Sequence, residues 1–186
     1  GREDAFLPAG MGYPYFHWPN TLLMNKGDGT FAKRGPQEGI EPRPGGPNLD
    51  MKFKGLPGIK SSRSAAVLDY DGDGRPDIAV NNFNERCYLY RNRFAARPWV
   101  GLRLRGTKSN RSAIGARVEL QGPGGIQVRE VRSGGSYLSQ SDLRVLFRLG
   151  SPADPGQLAA LIRWPDGRWQ TVGALTLDRY QEVREP

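Results

Sequence analysis

Cysteine, histidine and long apolar runs are scarce in this chain of 186 residues, and each scarcity excludes a class of protein. The single cysteine, Cys87, cannot form an intrachain disulfide. Together with the single histidine, His17, it makes too small a set of nitrogen and sulfur ligands for an ordinary zinc site. No run of about 18 apolar residues occurs, so the sequence predicts no membrane-spanning helix. Glycine and proline, at 25 and 15 residues, are abundant and favour a turn-rich β protein.

Catalytic motifs are missing as well. A serine hydrolase would need a base that only His17 could supply, and the sequence has no Gly-x-Ser-x-Gly turn. We interpret His17 as a packed or exposed loop residue. An acid pair for glycoside hydrolysis could come from turn residues such as Asp142 and Asp166, but aspartates in turns more often cap backbone amides. We therefore predict a protein without catalytic activity.

The net charge of +8 is concentrated in the middle of the chain. Residues 91–150 contain twelve Lys or Arg against three acidic residues, a local charge of +9. Such an excess can attract nucleic acid, anionic lipid or an acidic protein. Because the basic residues are scattered singly along alternating strands, we interpret them as a solvated face and predict no nucleic-acid partner.

Several apolar and aromatic residues have two readings. Cys87 lies in an apolar run and is expected to be a small buried residue, not a reactive thiol. Trp164 and Trp169 flank one turn and could stack on a sugar, although two tryptophans in a hairpin more often fill a sandwich core. Tyr137 could contact a ligand, but packing is the usual role of an aromatic in a sheet.

An acidic loop at residues 69–77 has the most specific spacing in the sequence. Aspartates occupy its first, third, fifth and ninth positions, and Gly74 at the sixth allows a sharp turn. This spacing lets oxygen atoms surround one hard cation, and oxygen-only ligands favour Ca²⁺. The expected ligands are Asp69, Asp71, Asp73, the main-chain carbonyl of Arg75, and Asp77. The alternative is a solvated acidic turn without metal, in which the four carboxylates would repel one another.

The loop joins two strands and is not a helix–loop–helix calcium hand. Its twelfth position is Val80, where that motif needs a glutamate. Residues 65–68 before the loop and 77–81 after it have β character. Further strands are predicted by alternating patterns and by turn residues between them. They are residues 100–105, 115–120, 126–131, 143–149, 161–164 and 168–172.

A partial internal repeat lies in the first half of the chain. Residues 20–25 align with residues 87–92 at an offset of 67, each as a short strand ending in Asn. The first copy turns into another strand, whereas the second runs into residues 93–99, so we expect the repeat to stop there. Between the copies, residues 35–60 hold five prolines and six glycines and predict an extended loop.

These segments resemble those of a known family. Residues 64–82 resemble an FG-GAP/VCBS repeat, the calcium-loop blade of integrin-type β-propellers, and residues 20–31 resemble the closing strands of a preceding blade. Residues 99–174 resemble the ASPIC/UnbV domain, which follows such repeats in the cartilage acidic protein 1-like family. The segments that carry this second resemblance are residues 106–116, 129–131, 133–142 and 162–167.

The resemblance implies an all-β fold with two parts. Residues 1–92 would form a partial β-propeller of one to two blades, and residues 93–186 an antiparallel β-sandwich. Propellers of this family hold about seven blades. One or two blades cannot close into a ring, so their outer strands would be exposed. We therefore expect either that further sequence precedes Gly1 or that partners cover the edges.

The resemblance also implies calcium at the five loop positions and an extracellular or periplasmic location. We expect a non-catalytic, calcium-stabilised interaction or structural module whose partner is another protein, or an accessory subunit of a larger assembly. Docking is expected at the propeller edges and the proline-rich stretch, by strand addition. Any association with a membrane surface would run through a partner. A carbohydrate-binding module and an accessory protein of a biosynthetic enzyme system are the alternatives.

Overall fold

The computed structural model describes residues 3–9, 20–35, 37–40, 62–82, 86–150 and 154–186. Strands dominate these ranges, and the only helix in them is a single 3-10 turn at Pro155–Gln157. None of the helical structure described is long and apolar enough to cross a membrane. The predicted all-β fold class is confirmed. His17, residue 36 and residues 41–60 of the predicted loop lie outside the described residues.

The first part of the chain forms two three-stranded antiparallel sheets, as expected for a partial propeller. One sheet has the order β1-β2-β3 and the other β4-β5-β6. The strands are β1 (Ala5–Leu7), β2 (Thr21–Asn25), β3 (Phe31–Lys33), β4 (Ser62–Leu68), β5 (Asp77–Asn82) and β6 (Tyr88–Tyr90).

The two sheets repeat the same pairing, which confirms the internal repeat. Leu23 of β2 lies opposite Ala5 of β1, and Tyr90 of β6 lies opposite Ile78 of β5. Leu23 and Tyr90 are separated by the repeat offset found in the sequence. The pair β5/β6 is therefore the counterpart of β1/β2.

The asparagine that ends each copy makes the same three hydrogen bonds. The main-chain N–H groups of Asn25 and Asn92 donate to the carboxylates of Asp4 and Asp77, at 2.8 and 2.7 Å. Each asparagine Nδ2 donates to the carbonyl just before that aspartate, at 3.2 and 3.0 Å. Each Oδ1 accepts the N–H two residues ahead, at 2.8 and 3.0 Å. Asp4 thus stands where Asp77 stands in the second copy.

The copies differ at their ends. In the first, β3 pairs with the outer edge of β2. In the second, the chain leaves β6 and enters a different sheet, so β6 is the edge strand of its sheet among the described residues. The repeat stops where the sequence predicts. The domain boundary between residues 92 and 93 stays a prediction, and it falls in the segment between β6 and the next strand.

The second part is a β-sandwich of a three-stranded and a four-stranded sheet. Their orders are β10-β7-β13 and β12-β11-β8-β9. All pairs are antiparallel except β7 and β13, which run parallel. The strands are β7 (Trp99–Arg105), β8 (Arg117–Gly122), β9 (Gly125–Glu130), β10 (Val145–Arg148), β11 (Ala159–Arg163), β12 (Trp169–Val172) and β13 (Tyr180–Arg184).

The core lies between these two sheets. Alternate residues of β7, Val100 and Leu102, are fully buried in it, so Arg103 and Arg105 point away from it. Phe147 and Ile162 fill it from β10 and β11. The largest buried side chain is that of Trp164, which lies just after β11.

The burial predicted from the sequence for several side chains can be compared with the burial in the structure. Trp164 is buried and donates its indole N–H to Gln170 Oε1 at 2.9 Å, but Trp169 is 51% exposed and does not fill the core. Tyr137 is 66% exposed, so the prediction that it packs in a sheet is wrong. The expectation of a buried Cys87 is also wrong, because this residue directly precedes the edge strand β6 and is exposed.

The sandwich covers the outer edge of β4. Asp142 donates its main-chain N–H to the carbonyl of Val67 at 2.9 Å, and the N–H of Val67 donates to Ser141 Oγ at 3.1 Å. Ser139 Oγ donates to the carbonyl of Ala65 at 2.6 Å. These bonds satisfy backbone groups that an edge strand would otherwise expose.

Glu185 anchors the end of β13 to the loop after β7. Its side chain is completely buried, and Oε2 accepts the N–H groups of Thr107, Lys108 and Ser109, each at 2.8 Å. Oε1 accepts the Ser109 hydroxyl at 2.6 Å. Burial alone would raise the pKa of Glu185, but these hydrogen bonds outweigh it and lower the pKa to about 2.

We predict that Glu185→Gln lowers the melting temperature at pH 7, because a carboxylate accepts these hydrogen bonds more strongly than an amide. Because the pKa of Glu185 is depressed, its carboxylate stabilises the fold at pH values above the ordinary pKa of 4.5. That stabilisation is lost as the pH falls from 4.5 towards about 2. The difference in melting temperature between Glu185→Gln and wild type should therefore become smaller as the pH falls over this interval. Glu182→Gln, at a more exposed carboxylate paired with Arg184, is the control and should show a smaller difference. Equal pH profiles for Glu185→Gln and wild type would contradict the assignment.

Candidate metal centre

The pairing of β4 with β5 positions the acidic loop. Leu68, at the end of β4, lies opposite Asp77 at the start of β5, so the loop must reverse the chain between them. Gly72 and Gly74 provide the reversal with φ of 73° and 75°, a region that residues with a Cβ rarely adopt. The turn predicted at Gly74 is present.

Three of the predicted ligands come together. Asp69, Asp71 and Asp77 each contribute a carboxylate oxygen, and these oxygens all lie within 4.8 Å of one another. Asp69 and Asp77 are buried, at 4% and 1% exposed. Asp71 lies at the surface, where its Oδ2 is 2.7 Å from a guanidinium nitrogen of Arg91.

Asp73 is not a member of this group. Its carboxylate accepts the main-chain N–H of Arg75 at 2.9 Å and pairs with the guanidinium of the same residue. Burial raises the pKa of Asp73, but the hydrogen bonds and charge of Arg75, with the charge of Arg91, lower it below the ordinary value. Asp73 therefore stays ionised as a partner of arginine. The Arg75 guanidinium pairs with Asp73, and the Arg75 main-chain carbonyl stays a predicted ligand.

The two buried carboxylates are held by neutral hydrogen-bond donors. Asp69 Oδ1 accepts the N–H of Asp73 and Oδ2 accepts that of Gly74, both at 3.0 Å. Asp77 accepts the N–H groups of Tyr70 and Asn92, at 3.2 and 2.7 Å. Within the described ranges, neither carboxylate has a cationic side chain at salt-bridge distance. Buried charges are normally paired or bound to metal, so this donor set fits a divalent cation.

Comparison with protein families finds a match for two separate segments of the chain. Residues 62–88 match the FG-GAP repeat, and residues 106–186 match the ASPIC and UnbV family. The chain carries an FG-GAP repeat followed by an ASPIC/UnbV domain. A search of curated proteins finds no match. FG-GAP repeats often bind Ca²⁺ and occur in extracellular proteins, and the two domain types together suggest a non-catalytic extracellular interaction module.

The ASPIC/UnbV domain contributes directly to the FG-GAP loop. The Tyr180 hydroxyl donates to Asp69 Oδ2 at 2.8 Å, and Arg144 Nη2 donates to the main-chain carbonyl of Asp69 at 2.8 Å. The Arg144 guanidinium also lies 4.0 Å from the centre of the Tyr180 ring. Burial and the hydrogen bond to Asp69 raise the pKa of Tyr180 well above its ordinary value, so it remains a donor.

Trp99 completes this contact between the two domains. Its buried indole lies against Gly74, and its ring centre is 4.9 Å from that of Tyr180. The supports of the loop that the sequence does not predict are Trp99, Arg144 and Tyr180. No local spacing could have identified them, since Tyr180 is 111 residues from Asp69.

We predict that Gly74→Ala destabilises the protein more than Gly72→Ala. Both place a side chain at positive φ, which costs about 1–2 kcal/mol. Only at Gly74 would the new Cβ fall 2.3 Å from the Trp99 indole, whereas at Gly72 it meets nothing within 4 Å. Displacing a packed ring adds about 1–3 kcal/mol. Urea unfolding in a calcium-free buffer measures the difference, and equal losses would show that the Trp99 contact does not constrain the loop.

Proposed function

We propose that the protein is a calcium-stabilised, non-catalytic module that binds other proteins in an extracellular or periplasmic setting. The observation that supports this most directly is the arrangement of Asp69 and Asp77. Both are buried, neither carboxylate has a cationic side chain at salt-bridge distance among the described residues, and both bring an oxygen close to Asp71. A divalent cation would supply the missing positive charge.

The proposed ion would be held by Asp69, Asp71 and Asp77, with the Arg75 carbonyl and Asp73 as further ligands. For Asp73 to take part, its pairing with Arg75 must give way, and Arg91 must release Asp71 in the same manner. Both arginine pairs are partly exposed, so solvent weakens each of them and neither is a strong obstacle to an ion. Weak calcium modules work where the ion is millimolar, which agrees with a location outside the cytoplasm.

Calcium would act on the contact between domains as well as on the loop. Asp69 would hold the ion and also accept the Tyr180 hydroxyl from the ASPIC/UnbV domain. Since an ion that binds only the folded state stabilises it by mass action, loss of the ion should loosen both elements together.

We predict that calcium raises the melting temperature and that a chelator removes the increase. At 100 times the dissociation constant the stabilisation is about 2.7 kcal/mol, or roughly 5–10 °C for a chain of this size. Asp71→Ala should abolish the response, because it removes one of the three clustered oxygens. A melting temperature that is the same with calcium and with chelator would refute the calcium site.

Asp166→Ala is the matched control for Asp73→Ala. Both aspartates lie in Asp-Gly-Arg turns, where they accept the arginine N–H and pair with its guanidinium. Only Asp73 belongs to the acidic loop. If Asp73 joins the ion, Asp73→Ala weakens the calcium response and Asp166→Ala does not. If Asp73→Ala and Asp166→Ala show the same increase in melting temperature with calcium, Asp73 is not a ligand of the ion.

The edge strand β6 is the proposed docking site for a partner. In the first repeat, β3 pairs with the equivalent strand β2, and the second repeat has no such strand among the described residues. Leu89, in the middle of β6, is 50% exposed. A strand supplied by another protein would restore the pairing seen in the first repeat.

We predict that Leu89→Lys reduces the amount of partner protein that co-purifies at moderate salt, because a charged side chain on an edge strand opposes strand addition. Ile126→Lys is the control, at a residue that is 63% exposed on the edge strand β9 of the sandwich. Quantitative mass spectrometry of the captured chains measures the effect. Equal loss with both variants would argue against β6 as the docking edge.

Binding of carbohydrate is the second candidate, and the exposure of Trp169 favours it. An indole that is 51% exposed next to a turn can stack on a sugar ring. A change in tryptophan fluorescence on a sugar panel that Trp169→Ala removes would support this function over protein binding.

A further inference from the structure

A cavity of about 530 Å³ lies beside strand β7, where Leu104 and Leu143 form the apolar part of its lining. Arg103 and Arg105 of β7 line it, and Arg111 and Ser112 line it from the loop that follows this strand. Arg144 closes the side next to the FG-GAP repeat. The size is that of a small-molecule site and exceeds what a single water or simple ion needs.

The arginines of this cavity are not neutralised in the usual way. Arg103, Arg105 and Arg111 make no side-chain hydrogen bond or ion pair with any residue in the described part of the chain. Glu182 lies opposite Arg103 in the sheet and feels the charges of Arg105 and Arg103, but its carboxylate bonds to neither and pairs with Arg184 at 2.8 Å. This contrasts with arginines elsewhere in the chain that pair with a neighbouring carboxylate.

The one acidic group in the lining is already paired. Asp142 bonds to the Arg144 guanidinium, with Oδ2 2.7 Å from Nε. Four arginines and one aspartate leave the lining with a formal charge of +3. Unpaired guanidinium groups that converge on a cavity repel one another, and an anion would relieve that repulsion.

The loop that carries Arg111 and Ser112 is held in place before any ligand arrives. Gly106 donates its N–H to the carbonyl of Arg111 at 3.2 Å, and Asn110 exchanges two hydrogen bonds of 2.8 Å with the backbone of Ile114. Glu185 binds three N–H groups of the same loop. A preorganised loop loses little entropy on binding.

We propose that this cavity is a binding site for a compact ligand with two or more phosphate or sulfate groups. Guanidinium groups bind tetrahedral oxyanions through paired N–H donors, and three of them can engage more than one such group. The Ser112 hydroxyl offers a further donor. The site uses Arg111 and Ser112 of the segment 106–116, one of the segments that carry the resemblance to the ASPIC/UnbV domain. It meets the acidic loop only through Arg144, which bonds to the Asp69 carbonyl.

The test is isothermal titration calorimetry on the full chain in calcium-free buffer, with tripolyphosphate as one probe and sucrose octasulfate as the other. We expect saturable binding of one ligand per chain. Saturable binding of only one probe identifies the chemical source, phosphate or sulfate, and saturable binding of both shows a site that accepts either group. Because tripolyphosphate chelates calcium, the calcium-free buffer separates binding at the cavity from removal of an ion.

Arg111→Gln should weaken binding by about tenfold to a hundredfold, as expected for loss of hydrogen bonds between charged groups. Arg163→Gln is the matched control: it makes the same charge change at an exposed residue of β11 with no ion pair to any described residue. It should weaken binding by less than about twofold. Thermal melts of both variants confirm that the fold is intact.

Two results would overturn the proposal. One is the absence of saturable binding for both probes. The other is an equal loss of affinity in Arg111→Gln and Arg163→Gln, which would show that the basic surface attracts anions without a defined site.

Discussion

The fold of this chain depends on one buried carboxylate that is shared by two domains. Asp69 orders its own loop by accepting two N–H groups from it, and it also accepts the hydroxyl of Tyr180 from the far end of the chain. A charge buried in this way is stable only if it is fully hydrogen-bonded or balanced. The loop therefore cannot change shape without disturbing the sandwich.

The same arrangement links the shape of the acidic loop to the relative position of the domains. Arg144 and Trp99 contact the loop on either side of Tyr180, and residues 139–142 lie along β4 just before it. The sheet β4-β5-β6 has three strands, and a sheet of this size is stable only when one of its faces is packed. The ASPIC/UnbV domain contributes contacts at its β4 edge and at the acidic loop.

Local patterns predicted much of the fold and part of the site. Alternation and turn residues identified strands such as β7 and the hairpin β8–β9, because those signals act between neighbours in sequence. β13 was missed, since its parallel pairing with β7 is set by contacts across the sheet. In the acidic loop, the spacing of the aspartates was enough to predict that Asp69 and Asp77 lie close together. It could not show that Asp73 turns to Arg75, because that choice depends on where a flexible guanidinium settles.

The two edges of the sheet β4-β5-β6 differ in whether another part of the chain covers them. Residues 139–142 seal the β4 side, and the β6 side ends without a neighbour among the described strands. A sheet that is closed on one flank can be lengthened only from the other. Among the described strands, a second copy that joined this sheet would therefore have to pair with β6, and two paired β6 strands would leave no open edge of this sheet for a third copy.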